Sequence, residues 1–255
     1  MDFIVIVLVI LLAFIAAFID SSFGMGYGMI APMLLLLGFD ALLIIPVLLL
    51  SQMICGFMGT IFHSIYRNIE VSTEKERDIK ITSIFTISGM VGMLGAIFLA
   101  INLSEMFVNL YIGIMIIVVG IIILKKISFQ FSWNKIYIIS ALAAFNKAIT
   151  GGGYGPIATT GQMVTGRGHK EAIAVSNFAE AFLSGFGFLL YYILNGFSDL
   201  DLVFQLIIIM GITSIIAPPL GALLLKNIKK DNANKIIGSV SILLGVITLI
   251  RMFFF

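Results

Sequence analysis

Apolar segments of about twenty residues, each long enough to cross a hydrocarbon layer as a helix, recur at 42–62, 81–100, 104–124, 171–194, 201–225 and 235–252. In hydrocarbon every backbone N–H and C=O must find its partner inside the protein, so such segments fold as helices packed side by side. The composition agrees. Of 255 residues, 60% are hydrophobic and 11% charged, against roughly a quarter charged in soluble domains. We expect an all-α integral membrane protein with one membrane domain over 1–255. The stretch MDFIVIVLVILLAFIAAFID has neither the cationic start nor the small-residue cleavage site of a signal peptide and reads as a retained helix. The longest polar stretch, 63–80, is a mixed-charge loop with too little apolar content to form a soluble catalytic domain. The single cysteine, Cys55, excludes an intramolecular disulfide and a cysteine metal cluster, and reads as a small packing residue.

Two further apolar regions are interrupted. Residues 3–37 are broken by DSSFGMGYG at 20–28, and residues 135–164 by NKAITGGGYGP at 146–156. A long arm precedes each break, and an arm of roughly nine residues follows, too short to cross a bilayer alone. The breaks align without gaps: Gly24, Gly26, Tyr27, Gly28, Ile30 and Ala31 match Gly151, Gly153, Tyr154, Gly155, Ile157 and Ala158. A turn and three long spans follow each. The chain therefore reads as two copies of one unit, 1–124 and 125–255.

Loop charge sets the orientation. Lys and Arg concentrate in 63–80 (Arg67, Lys75, Arg77, Lys80), 125–135 (Lys125, Lys126, Lys135), 165–171 (Arg167, Lys170) and 226–235 (Lys226, Lys229, Lys230, Lys235), while 38–41, 101–104 and 195–201 have none. With every basic loop in the cytoplasm, 135–164 must begin and end inside, as a re-entrant hairpin broken at its glycines. By the repeat, 3–37 is a hairpin that begins and ends outside. Each unit is then one hairpin plus three transmembrane helices. Three is odd, so the two repeats are inverted.

Breaking a helix in hydrocarbon exposes polar backbone at several kcal/mol per unpaired group, which is tolerated where protein buries it or a wet cavity receives it. Half-helix N-termini also present free N–H groups and a positive dipole end to anions. The short arms are expected to start at Gly28/Met29 and Gly155/Pro156, with Pro156 suited to a first helical turn. The expected substrate-binding residues are Gly24, Gly26, Tyr27, Gly28, Asn146, Lys147, Gly151, Gly152, Gly153, Tyr154 and Thr159, at two opposed tips near the bilayer midplane. Asp20 and Lys147 occupy the same place, four residues before the first glycine of each cluster. Lys147 follows Lys135 by twelve residues, about 18 Å along a helix, too deep for easy snorkelling. Charge at that depth is functional or paired: Lys147 either meets an anion or forms an ion pair with Asp20. Glu180, mid-span with Ser176 and Asn177 a turn earlier, is a proton-coupling candidate beside Asp20. Gln52, from the corresponding stretch of the first unit, and Asn177 are supporting residues. Thr159, Thr160 and Gln162 offer neutral donors or pack helices. His63 and His169 read as interfacial. Small-residue packing at two tight turns is the plain alternative for the glycines.

No spacing suggests a catalytic triad or a zinc motif, and Asp20 is the one deep aspartate, so an enzyme is not expected. No cofactor or metal is expected, nor a nucleic-acid partner. The partners are a small anion and the lipid bilayer. A cation- or proton-coupled carrier using Asp20 and Glu180, or a passive anion channel, are the alternatives.

The stretch GMGYGMIAPMLLLLGF resembles the first-repeat signature of the TauE/SafE sulfite exporter family, also called the 4-toluenesulfonate uptake permeases. Gly24, Gly26, Gly28 and Pro32 match, GGGYGP fits the second glycine cluster, and Met25 and Tyr27 stand where glycine is common in that family. The resemblance implies a secondary transporter in a prokaryotic plasma (inner) membrane that moves sulfite, sulfonates or related organosulfur anions. It brings no catalytic residues.

Overall fold

The computed structural model describes residues 1–24, 26–68, 75–125, 132–164, 167–228 and 230–254. Expectations for Met25, Lys126 and Lys229, and for the side chains of Pro32, Pro156, Thr160 and His169, fall outside the described residues. The described chain is helical, without strands: α1 (Phe3–Phe23), α2 (Tyr27–Leu36), α3 (Ala41–Ile65), α4 (Lys75–Asn102), α5 (Glu105–Leu124), α6 (Trp133–Thr150), α7 (Tyr154–Val164), α8 (His169–Asn195), α9 (Leu200–Asn227) and α10 (Lys230–Phe254). Among the described residues, α1, α3, α4, α8 and α9 are long and apolar enough to cross a membrane. Large apolar side chains such as Ile87, Val91, Phe98, Phe204 and Ile216 are exposed on α4 and α9. A lipid-facing circumference has this character, and the chain is a multi-pass membrane protein.

Two details differ from the sequence reading. The short arms start one residue earlier, at the matched tyrosines Tyr27 and Tyr154, which places Pro156 third in its helix. The polar stretch 63–80 is not all loop. Helix α4 begins at Lys75 with Glu76 and Asp78 in its first turn, where acidic side chains favour the N-terminal dipole.

The helix contacts fall into matching pairs. Helix α1 lies along α9 as α6 lies along α4; α3 contacts α9 as α8 contacts α4; α3 packs on α8 and α5 on α10. The α5–α10 contact is built on glycines in both helices. A Cβ on Gly120 would lie 2.8 Å from the Gly238 carbonyl, and one on Gly245 would lie 2.7 Å from that of Gly113. Small residues let backbones approach and raise dispersion contact where lipid gives no hydrophobic drive. The buried apolar residues form two clusters. One centres on α4, α6, α7 and α8, with Phe85, Met93 and Tyr154; the other on α1, α2, α3 and α9, with Ala13, Ile30 and Leu48.

Contacts also join the basic loops to one another. Arg167, after α7, pairs with Asp78 in the first turn of α4. Lys170 donates to the Lys226 carbonyl at 3.1 Å. Lys80 lies 4.1 Å over the Trp133 ring at the start of α6. Elsewhere, the start of α1 (Asp2, Val5), the residues after α2 (Leu37, Phe39) and the start of α9 (Asp199, Gln205) line one cavity of about 520 Å³.

Candidate functional site

Both interrupted helices end in the same way. Gly24 (φ 73°) donates its N–H to the Asp20 carbonyl at 2.6 Å, and Gly151 (φ 68°) to the Lys147 carbonyl at 2.9 Å. Only a residue without Cβ adopts this left-handed cap freely, which is why each break carries glycine four residues after its ionisable group. The two glycine clusters touch. A Cβ on Gly28 would lie 3.0 Å from the Gly153 nitrogen, and one on Gly152 would lie 2.5 Å from that of Gly28. Gly26 is pressed onto α1, where a Cβ would fall on the Ala16 carbonyl and the Asp20 nitrogen.

Next to these contacts sits a buried charged cluster. Lys147 has no exposed surface. Its Nζ donates to Glu180 Oε1 at 2.7 Å and to Gln52 Oε1, and lies 5.8 Å from the Tyr154 ring centre. The ion pair considered between Asp20 and Lys147 does not form; Glu180, across on α8, is the lysine's carboxylate. Asp20 instead accepts the Gly26 N–H at 2.9 Å, with the Tyr27 backbone as a second partner, and interacts electrostatically with both Lys147 and Glu180. A carboxylate at the start of α2 satisfies orphan donors there and complements the helix dipole. The two short helices are thus unlike at their N-termini: α2 is capped by the protein's own acid, whereas the equivalent position before α7 is a lysine.

The remaining expected residues divide. Asn146 donates to the Gly153 carbonyl at 2.7 Å and braces the second glycine turn. The Tyr27 hydroxyl is engaged by Ser51 (2.9 Å) and Ser214 (2.6 Å). The Tyr154 hydroxyl is buried without a hydrogen-bond partner, its ring set edge-on to Phe85. Thr159 Oγ1 and Asn177 Oδ1 are also buried and unpartnered. Gln162 is tied to Ser176 at 2.8 Å. Gln52 Nε2 and Glu180 Oε2, the far atoms of the lysine's two partners, have no partner either.

His63, read as interfacial, lies near the end of α3 and is fully buried within the protein. Its Nδ1 lies 3.1 Å from Asn68 Nδ2, which also donates to the Ala222 carbonyl at 2.8 Å. Nδ1 therefore accepts and Nε2 carries the proton, so the ring donates in its hydrogen bond to the Ser21 backbone. At the other break the Tyr191 hydroxyl of α8 donates to the Ala148 carbonyl at 2.7 Å. Ser21 and Ala148 are the same position, three residues before the capping glycine. His63 follows Gln52 by eleven residues, and Tyr191 follows Glu180 by eleven, about three helical turns and hence the same face. Sequence reasoning overlooked both donors. The equal spacing was a signal, but it carries meaning only once Gln52 and Glu180 are known to share Lys147.

The model of the family described as sulfite exporter TauE/SafE matches residues 9–248. The chain belongs to this family. Comparison with curated proteins and with solved structures gives no match. TauE/SafE proteins are membrane transporters of the sulfite-exporter type.

Proposed function

We propose that the protein is a secondary transporter of small oxidised-sulfur anions, sulfite, sulfonates or a related organosulfur anion, which bind between the two glycine breaks next to Lys147. The observation that carries this reading is the fully buried ammonium held between α3, α6 and α8 beside the start of α7. An uncompensated buried cation is costly, so an anion that replaces its carboxylate gains what the carboxylate supplied. Glu180 is then the competing ligand. Protonation of Glu180 frees Lys147 for the anion, which links proton and anion binding through one shared group. The unpartnered Gln52 Nε2, a donor, and Tyr154 hydroxyl are further contacts for sulfur-bound oxygens, with the α7 N-terminal N–H groups. Gly24, Gly26, Gly28 and Gly151 to Gly153 keep the backbones close enough to enclose the ligand, Asn146 holds the second turn, and Asp20 neutralises the start of α2.

The architecture behind this proposal is two inverted repeats, 1–124 and 125–255, each a re-entrant hairpin and three spans. The mutual contacts of the basic loops support it, because they bring the start of α6 and the residue after α7 to one face. The cavity shared by the start of α1 and the end of α2 supports the opposite hairpin. Loop charge puts the basic face in the cytoplasm of a prokaryotic plasma membrane. With the site residues sealed from solvent, motion of one repeat against the other is the route to alternate access.

The test is flux in proteoliposomes. Labelled sulfite should enter, exchange with internal sulfite in counterflow, and be competed by sulfonates. Lys147→Met should abolish the flux. Undiminished transport by that variant would overturn the assignment, and conductance without counterflow would indicate a channel.

A further inference from the structure

The two sequence halves do not pack as two bodies. In 1–124, α1, α2 and α3 contact one another, but α4 packs along α6 and α8 and has no comparable contact with α1, α2 or α3 among the described residues. In 125–255, α6, α7 and α8 are joined through α7, but α9 packs along α1 and α3 and has no comparable contact with α6, α7 or α8. Each half lends its fourth helix to the other. Side chains and backbone tie the borrowed helices in place. Ser214 of α9 lies with its hydroxyl 2.7 Å from that of Ser51, and α9 carbonyls accept from Ser21 (3.0 Å, to Pro218) and Asn68 (2.8 Å, to Ala222). On α4, the Ser88 hydroxyl lies 2.7 Å from that of Ser140, and Asp78 pairs with Arg167. A Cβ on Gly221 of α9 would lie 2.6 Å from the Phe18 carbonyl of α1, and one on Gly92 of α4 would lie 3.3 Å from the Ala141 carbonyl of α6.

The buried apolar clusters divide the same way, except that Phe23, Ile45 and Leu49 join the cluster of α4, α6, α7 and α8 at the seam. Across that seam the one broad contact is α3 on α8, with a slighter one of α1 on α8. It crosses at glycine: a Cβ on Gly56 would lie 2.6 Å from the Asn177 carbonyl and 2.9 Å from Ala181 Cβ. Interdigitated side-chain ridges resist rotation of one helix on another, and a glycine at the crossing supplies none. The glycine tips meet across the same seam. Of the two partners of Lys147, Glu180 lies on its own side and Gln52 on the other. Parting the two sides therefore opens the site and breaks the lysine–amide contact, while the lysine–carboxylate pair travels intact.

We propose that the relative motion of the two repeats takes an exchanged form: α4 travels with α6, α7 and α8, α9 travels with α1, α2 and α3, and the two bodies rock on the α3–α8 crossing at Gly56. Packed elements move together when parting them would expose buried contacts, and domain motions run along the seams where such contacts are fewest. The proposal rests on the transport reading for its purpose, but not for the division into bodies.

Two cysteine pairs test it in full-length protein freed of its natural thiol by Cys55→Ser. Both sit where a lysine reaches from one helix to the next: Lys80→Cys with Trp133→Cys, from α4 to α6, and Lys170→Cys with Lys226→Cys, from α8 to α9. The first pair joins the two sequence halves within one body; the second joins the two bodies within one half. A short bismaleimide, whose thioether links sulfite does not cleave, bridges each pair, with N-ethylmaleimide on the same variants as the control. In proteoliposomes, the bridge between positions 80 and 133 should leave sulfite flux at the control level, and the bridge between 170 and 226 should reduce it to that of protein-free liposomes. Halves that move as units give the reverse. Block by the first bridge, or full flux through the second, overturns the proposal. Spin labels at the same pairs, read by pulsed electron resonance without substrate, test the division alone: positions 170 and 226 should have the broader distance distribution. The broader distribution at 80 and 133 overturns the proposal. The expected distributions without sulfite flux in the Cys55→Ser parent support the bodies and reject the anion reading.

Discussion

The two glycine breaks share a backbone and differ in chemistry. At Gly24 and at Gly151 a buried helix ends in a left-handed glycine whose N–H returns to the carbonyl four residues back, and the carbonyl one residue further on is held by a donor eleven residues beyond Gln52 or Glu180. Around that common frame, the first break has an aspartate on its own short helix and polar oxygens from α7 and α8, while the second has a lysine reaching out to α3 and α8 and an isoleucine against its glycine. Backbone satisfaction fixes what must repeat, because every broken helix in a membrane leaves the same orphan groups. Nothing fixes the side chains in between, and there the two breaks are complementary rather than alike.

The sharpest way to break this comparison is to remove the charge that only one half has. Lys147→Met leaves Glu180 buried without its partner and should destabilise the protein by about 3–5 kcal/mol while abolishing flux. Adding Glu180→Gln to it should restore most of the stability and none of the transport, as read by thermal unfolding and sulfite uptake on the same samples.

The glycines give the next largest effect. Gly24→Ala and Gly151→Ala each force a side chain into the left-handed region, about 1–2 kcal/mol. The first also drives a methyl to 2.7 Å from Thr159 Oγ1, whereas the second meets Ile45, its Cα included, at 3.3 Å, a tight contact but a less severe one. Gly24→Ala should therefore be the more damaging. Thr159→Ala should relieve part of its loss and none of the Gly151→Ala loss, a double-mutant cycle that measures the contact directly.

The paired donors should behave alike. Tyr191→Phe and His63→Ala each strip a buried carbonyl of its donor, at about 1–3 kcal/mol; a large effect from one and none from the other would mean that the helix ends are not equivalently held. The tyrosines should separate most finely. Tyr27→Phe breaks hydrogen bonds to Ser51 and Ser214 and should lower stability by about 1 kcal/mol, with little effect on sulfite affinity. Tyr154→Phe removes a hydroxyl without a partner; it should leave stability unchanged and weaken anion binding alone. Reversal of that pattern would place the anion at the first break.

The helical class, the spans at 42–62, 81–100, 171–194 and 201–225, the two breaks and the buried lysine were legible in the sequence because each follows from local pattern: length of apolar run, glycine four residues after an ionisable group, and distance of a charge from the nearest polar flank. The partner of Lys147 was not. Asp20, its counterpart by alignment, was the obvious candidate, yet its carboxylate is drawn to its own chain by the Gly26 and Tyr27 N–H groups six and seven residues on, a local competition the alignment does not weigh. Glu180 and Gln52 reach the lysine from α8 and α3, which only the packing of those helices brings together. The burial of His63 and the unpartnered Thr159 hydroxyl were hidden for the same reason: whether a polar atom is buried, bonded or orphaned depends on what other helices place against it. A one-dimensional pattern determines where the backbone must bend and where charge lies deep; which groups then pair is settled by side-chain competition across non-neighbouring helices, and that exists only in three dimensions.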